Sequence, residues 1–179
     1  MYFIKVLVAI ALALWVLSIV VTPFTLPPGT IILGEAGRAN YIDYPEIWTK
    51  LPLPQRIVYA LGDLICHQKT SRSFIINGNQ MPVCSRDLGL YSGALIAYLY
   101  LYILEKKKPL TYRRLINTFF KKEKKLFTAL YIALVLPLLI DFTLQYTTSW
   151  SSNNYIRLGT GMAFGYANMI LFYYLVFEL

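Results

Sequence analysis

The sequence has few of the residues from which most catalytic and metal sites are built. Its 179 residues include one histidine, two cysteines and nine acidic side chains. It contains no phosphate-binding glycine loop, His-Glu-x-x-His helix, haem-attachment Cys-x-x-Cys-His or serine nucleophile elbow. One histidine cannot supply both axial ligands of a bis-histidine haem. No internal repeat is evident, which argues against a transporter with inverted halves unless the chain dimerises.

Apolar residues are abundant instead, at 57% of the chain, and the mean hydropathy is +0.51. Four apolar stretches approach or exceed the roughly 20 residues that a helix needs to cross about 30 Å of hydrocarbon. They are residues 3–21, 87–104, 127–146 and 155–177. Once these four stretches are counted, too few residues are left for a separate soluble domain. We therefore predict an all-α fold, a polytopic membrane helical bundle with four transmembrane helices, as a single integral membrane domain over residues 1–179.

The positive charge is concentrated in one connection, residues 105–126, which holds nine of the 17 basic residues. Short loops rich in Lys and Arg stay cytoplasmic, so we predict a multi-pass protein of the cell membrane with both termini in the cytoplasm. The first stretch lacks a small-residue cleavage pattern after it and is predicted to be a retained span. Because no aromatic stacking platform accompanies the charge, we expect contact with anionic lipid and no specific nucleic-acid binding.

The outer segment, residues 22–84, contains one helix-like run. Residues 54–67 carry apolar side chains at helical spacing, and a proline opens the run. This run of 14 residues is too short to span a bilayer. It is predicted to form a re-entrant or interfacial half-helix with Cys66 and His67 at its C-terminal tip.

Cys66, His67, Cys84 and Asp87 form the first candidate site. A Cys66–Cys84 disulfide in an oxidising compartment needs no other residue. Alternatively, the four residues supply two sulfurs, an imidazole and a carboxylate, which suit zinc and can accept another transition metal such as iron or copper. Free or redox-active thiols are the third alternative. His67 also fits an ordinary hydrogen-bonding role, and its position next to Cys66 makes binding of one tetrahedral ion by both residues difficult.

Polar side chains at the ends of the third and fourth apolar stretches form the second candidate site. Asp141 and Gln145 lie four residues apart, and Asn154 and Arg157 lie three apart, so each pair shares a helical face. A short turn joins the two helices, and we predict that Arg157 pairs with Asp141, or with Asp87 of the second stretch, because a buried arginine without a carboxylate is costly. Such a pair either only fixes helix register or belongs to an outward-facing polar pocket of Arg86, Asp141, Gln145, Asn154 and Arg157.

Small residues recur at intervals of four on the second and fourth stretches. They are Gly89 and Gly93 on one helix and Gly161 and Gly165 on the other. Such spacing lets helix backbones approach closely in lipid, so these glycines are predicted to lie at helix contacts.

Several short motifs occur together over about residues 55–170: Cys66-His67-Gln68, Arg72-Ser73-Phe74, Asn77-Gly78, Pro82-Val83-Cys84, Asp141-x-x-x-Gln145, Asn154-x-x-Arg157 and Thr160-Gly161. The combination resembles domain-of-unknown-function family 2085, small polytopic membrane proteins of archaea and bacteria. The resemblance implies a prokaryotic multi-pass membrane protein and no particular activity. Where the family pattern has Cys-x-Arg-Cys, this chain has Cys84-Ser-Arg86-Asp87, so a carboxylate replaces one expected thiolate.

Two functions fit these features. The sequence favours a non-enzymatic subunit or scaffold of a larger membrane complex, with an outward-facing cluster of Cys, His, Asp and Arg. The alternative is a small membrane-embedded metal-dependent or thiol-redox enzyme that acts on a lipid-soluble or extracytoplasmic substrate. The expected partners are the lipid bilayer and, for the first function, other membrane subunits.

Overall fold

The fold is a helical bundle with a folded outer segment, and the computed structural model describes residues 2–178. Four helices are long and apolar enough to cross a membrane: α1 (Tyr2–Val21), α4 (Ser85–Lys107), α6 (Lys124–Thr147) and α7 (Asn154–Phe177). Between them lie three shorter helices: α2 (Pro45–Trp48), α3 (Leu53–Ile65) and α5 (Pro109–Ile116). A small antiparallel hairpin is formed by two strands: β1 (Ile75–Ile76) and β2 (Asn79–Gln80). The predicted fold class, an all-α bundle with four helices of spanning length, is confirmed. The run predicted to be a half-helix, residues 54–67, forms α3, and α2 is a further short helix before it.

The long helices alternate in direction. Lys5, near the start of α1, donates hydrogen bonds of 2.8 Å to both carboxylate oxygens of Glu105, near the end of α4. Glu178, which follows α7, lies 4.0 Å from the same lysine. We call this the basic end of the bundle, since the 105–126 connection lies there. The opposite end, where α4 and α7 begin and α6 finishes, is called the polar end.

The 105–126 connection is more ordered than the plain loop that its charge suggests. It contains α5 and a π-helical turn over Asn117–Lys122. Three apolar side chains, Tyr112, Ile116 and Phe120, recur every four residues and are buried. Phe120 stacks on Tyr174 of α7 with ring centroids 3.8 Å apart. This apolar stripe holds the connection against the bundle while its lysines face outward.

Helices α4 and α7 cross with their backbones in contact. Gly89 and Gly93 of α4 face α7, and Gly161 and Gly165 of α7 face α4. A methyl group on any of the four would overlap a carbonyl oxygen of the opposite helix; the Gly161 position, for instance, faces the carbonyl of Arg86. Glycine is therefore the residue that allows this crossing, and the crossing brings the N-terminal turns of both helices together at the polar end.

The outer segment packs around its own apolar cluster. Leu26, Ile31, Trp48, Leu51 and Tyr59 are buried together, and the rings of Trp48 and Tyr59 stack with centroids 5.3 Å apart. Regular structure is sparse here. Buried side-chain amides therefore form hydrogen bonds with backbone N–H and C=O groups that would pair with one another in a helix or a sheet.

A substitution at the crossing should destabilise the bundle. Gly161→Ala places a methyl group against the Arg86 carbonyl oxygen, and we expect a loss of about 1–3 kcal/mol from overpacking. Gly159, two residues earlier on the same helix, has nothing within 4 Å of the position that a Cβ would take. Gly159→Ala should therefore be neutral or stabilising by up to about 1 kcal/mol. Thermal unfolding of both variants in detergent measures the difference, and equal midpoints would contradict the crossing.

Candidate functional site

The outer segment delivers Cys66 to the start of α4. Cys66 immediately follows α3, and the chain then bends at Gln68, which has a φ of 43°. The buried Gln68 side chain donates from Nε2 to the carbonyl oxygens of Tyr59 (3.1 Å) and Pro82 (2.5 Å). One amide thus ties α3 to the segment that enters α4, two residues before Cys84.

Cys66, Cys84 and Asp87 lie together, and we call them the thiol–carboxylate cluster. The two sulfurs and one Asp87 oxygen all lie within 4.8 Å of one another. The Cys84 backbone N–H donates to the Cys66 sulfur over 3.1 Å, and the Cys84 thiol donates to Asp87 Oδ2 over 3.1 Å. Both cysteines are free thiols. The structure therefore brings together three of the four residues predicted for the first site.

Cys66 and His67 differ sharply in environment although they are adjacent. Cys66 is 1% exposed, and the neighbouring Cys84 thiol together with burial raises the pKa of the Cys66 thiol. His67 is exposed and lies outside the thiol–carboxylate cluster. The chain is extended at Cys66, which turns the two side chains in different directions. His67 instead lines the neighbouring cavity.

The ion pair of the second site joins Arg86 to Asp141. The prediction that Arg157 pairs with Asp141 is wrong. At the α4–α7 crossing the backbone of Arg86 touches Gly161, so the Arg86 side chain reaches Asp141 from a third helix. Further hydrogen bonds to the Asp141 carboxylate come from three neighbours: Gln145 (2.7 Å), Ser152 (3.2 Å) and Trp150 (3.3 Å).

Arg157 is 5% exposed and has only neutral acceptors around it. Its guanidinium donates to Gln145 Oε1 (3.2 Å), to the Ser71 carbonyl oxygen (3.4 Å) and to Asn154 Oδ1 (3.5 Å). Its Nε has no hydrogen-bond partner, and no carboxylate within residues 2–178 lies within 4.0 Å. The predicted alternative partner, Asp87, belongs to the thiol–carboxylate cluster instead.

Asn154 joins the outer segment to the bundle. Its Nδ2 donates to the Ser73 carbonyl oxygen over 3.0 Å. The Ser85 hydroxyl has one hydrogen to donate and lies within hydrogen-bond distance of two acceptors, the Arg72 carbonyl oxygen (2.9 Å) and Asn154 Oδ1 (3.1 Å). These bonds fix the segment that carries Arg72 over the N-terminal turns of α4 and α7.

A cavity of about 240 Å³ lies between the two candidate sites. Four basic side chains line it: Lys69, Arg72, Arg86 and Arg157. Cys84 and Asp87 line it from the thiol–carboxylate cluster, and Ile65 and Phe142 are apolar lining residues. Lys69 and Arg72 were not predicted as site residues. Arg72 stands in one of the short sequence motifs, but the 3₁₀ turn Thr70–Arg72 that holds it is too short to give a periodicity from which its direction could be read.

Comparison with known proteins supports a membrane location for this arrangement. The model of a family described as "Predicted membrane protein (DUF2085)" matches residues 66–171. The chain belongs to this family. With four helices of spanning length it is a multi-pass membrane protein, and the lipid bilayer is its partner. The matched region contains the thiol–carboxylate cluster, the Arg86–Asp141 pair and Arg157.

Two archaeal relatives also match. An uncharacterized protein of Methanocaldococcus jannaschii is 35% identical over 118 residues, which cover 66% of this chain and 66% of that protein. An uncharacterized protein of Methanothermobacter thermautotrophicus is 33% identical over 107 residues, which cover 60% of this chain and 83% of that protein. No solved structure matches the chain.

The Arg86–Asp141 pair should contribute strongly to stability. Arg86→Met leaves the buried Asp141 carboxylate without its counter-charge, and we expect a loss of about 3–5 kcal/mol. Arg86→Met combined with Asp141→Leu should be more stable than Arg86→Met alone, because no isolated carboxylate is left. Unfolding free energies in detergent give the coupling energy. The matched cycle of Arg157→Met with Asp141→Leu should give a smaller coupling, and a larger one would contradict the pairing.

Proposed function

We propose that the protein is a small membrane-embedded metal-dependent enzyme, and that the thiol–carboxylate cluster binds its metal ion, with zinc fitting best. The proposal is carried by one observation. Two thiol sulfurs and a carboxylate oxygen lie within 4.8 Å of one another, and two of the three residues line a cavity. The substrate would be extracytoplasmic or soluble in lipid, since the cavity lies at the polar end of a membrane bundle.

The ligand set fits zinc in number and type. Tetrahedral zinc with bonds of about 2.0–2.3 Å has ligand atoms about 3.3–3.8 Å apart, so small side-chain movements suffice to close the site. Three protein ligands leave a fourth position open, as in catalytic rather than structural zinc sites. Bound there, zinc would polarise a carbonyl or phosphoryl oxygen and activate water.

The chain's own residues have distinct tasks in this proposal. Cys66, Cys84 and Asp87 would hold the ion once the thiols lose their protons, so uptake should rise with pH. The Cys84 backbone N–H, 3.1 Å from the Cys66 sulfur, would stabilise the negative charge on that thiolate. The cationic side chains of the cavity would bind and orient the substrate, and the buried side of the cluster excludes water from Cys66.

The second candidate is a non-enzymatic subunit or scaffold stapled by a disulfide. The same closeness of the two sulfurs favours it, because two thiols in reach of each other can be oxidised in an extracytoplasmic compartment. A disulfide needs no carboxylate, whereas Asp87 accepts the hydrogen bond of the Cys84 thiol. The carboxylate is the reason for preferring the metal.

Both proposed functions require the polar end on the outer side of the membrane and the termini in the cytoplasm. The nine basic residues of the 105–126 connection favour this orientation. Asn117 is exposed in this connection. A membrane-impermeant thiol reagent should label Asn117→Cys only after cells are permeabilised. Because Cys84 is a free thiol at the polar end, the parent protein is the control, and labelling of the variant above the parent in intact cells would contradict the orientation.

Metal analysis and a thiol count on the purified full-length protein test the metal site. We expect about one zinc ion per chain, two free thiols after denaturation in chelator, and thiolate charge-transfer absorption when cobalt(II) replaces zinc. Cys84→Ser should abolish that absorption and Asp87→Asn should weaken binding. Glu46→Gln, which removes an exposed carboxylate of α2 in the outer segment, should leave both the cobalt absorption and metal binding unchanged. Protein without metal and with no free thiol would contradict the metal site and support the disulfide-stapled scaffold.

A further inference from the structure

The buried Arg157 guanidinium forms no direct ion pair with any carboxylate of residues 2–178. Its three hydrogen-bond acceptors are neutral, lie 3.2–3.5 Å away, and leave Nε without a partner. A buried charge that is neither paired nor fully hydrogen-bonded costs several kcal/mol. Asp141 is the nearby carboxylate, but it is paired with Arg86, and no carboxylate of residues 2–178 lies within 4.0 Å of Arg157. An anion from outside the chain that contacts the guanidinium directly would lower this cost.

The rest of the cavity wall has the same sign of charge. Arg72 and Lys69 line it without a carboxylate partner within 4.0 Å among residues 2–178. The charge of Arg86 is balanced by Asp141, but its Nε is also buried without a partner. Asp87 is the one carboxylate on the wall. Two further carboxylates lie near these cations outside the cavity lining: Asp141, paired with Arg86, and the exposed Glu35, which interacts with Lys69 and Arg72. Four basic groups against three carboxylates leave the site with a net positive charge.

The apolar lining indicates what carries the anion. Ile65 and Phe142 line the same cavity and are 41% and 58% exposed, respectively. Phe142 belongs to α6, one of the four helices of spanning length, and lies beside Asp141 in the last turns at the polar end. If a ligand reached the arginines from the lipid, its hydrocarbon portion would contact these apolar side chains.

We propose that this cavity binds a phosphate-class oxyanion carried on a hydrocarbon chain, such as a lipid phosphate monoester. The guanidinium groups match a tetrahedral oxyanion because they can donate two parallel hydrogen bonds to it. A phosphate monoester carries about −1.5 to −2 charges near neutral pH, which is opposite in sign to the net charge of the cavity wall. A cavity of about 240 Å³ has room for the head group of such a lipid.

Calling this ligand a substrate rests on the proposed function, because Cys84 and Asp87 line the same cavity. Its binding does not require the metal, since the unpaired arginine and the apolar lining are independent of the thiols.

Titration of the chelator-treated full-length protein in a maltoside detergent tests the site without the metal. The probes are dodecyl phosphate, inorganic phosphate and the neutral dodecanol. We expect saturable binding of dodecyl phosphate, seen as a rise in unfolding temperature, and binding at least about tenfold weaker for the other two. Arg72→Gln and Arg157→Gln should each weaken dodecyl phosphate binding about tenfold to hundredfold, as the loss of a charged hydrogen bond predicts.

Lys50→Gln is the matched control, since Lys50 is exposed in the same outer segment and does not line the cavity. It should bind dodecyl phosphate as the parent does. If Arg157→Gln fails to fold, Arg72→Gln decides, because its side chain is only half-buried. Equal binding by Arg72→Gln and Lys50→Gln would overturn the site. If inorganic phosphate bound as tightly as dodecyl phosphate, the proposed role of the hydrocarbon chain would be contradicted. If dodecanol bound as tightly, the proposed role of the anionic head group would be contradicted.

Discussion

The close crossing of α4 and α7 determines the geometry of the polar end. In lipid, helix association gains little from burying apolar surface, so close backbone packing and polar pairs have to supply the specificity. Four glycines let the two backbones touch, and the contact at Gly161 lies against the carbonyl of Arg86 itself. Two arginines on different helices are thereby brought to the wall of one cavity, and the single carboxylate of α6 neutralises only one of them.

The outer segment solves a different problem, that of folding a long connection with little regular structure. Its buried amides replace a hydrogen-bonded framework. Asn79 Oδ1 accepts from the Ile31 backbone N–H over 3.0 Å, and its Nδ2 donates to the carbonyl oxygens of Pro23 and Pro27 over 3.0 Å. Gln68 ties α3 to Pro82. A rigid segment of this kind can hold Cys66 next to Cys84 without a covalent bond. A metal site needs its ligands held in place in this way, whereas a disulfide holds its own two cysteines together.

Periodicity and composition were sufficient to predict much of this protein. Apolar stretches of spanning length predicted the four long helices, and the proline-opened run predicted α3, because both signals are local. The glycine spacing indicated a close contact for the same reason.

The side-chain pairing was predicted less well. The partner of Asp141 depends on how three helices cross, so the chain order of α6 and α7 led to Arg157 and missed Arg86. The stripe of Tyr112, Ile116 and Phe120 that orders the basic connection is present in the sequence, but the lysines around it obscured it. Lys69 and Arg72 lie at and within a single 3₁₀ turn, which is too short for residue spacing to reveal side-chain direction.

X-ray absorption at the zinc edge tests most directly whether the polar end is a metal centre built from Cys66, Cys84 and Asp87. On the purified protein we expect two sulfur neighbours at about 2.3 Å and lighter neighbours at about 2.0 Å, with the lighter shell alone changing when dodecyl phosphate is added. A shell of four sulfurs would mean that two chains share the ion, and a shell without sulfur would place the ion elsewhere. Either result would contradict a zinc site formed by the thiol–carboxylate cluster of one chain.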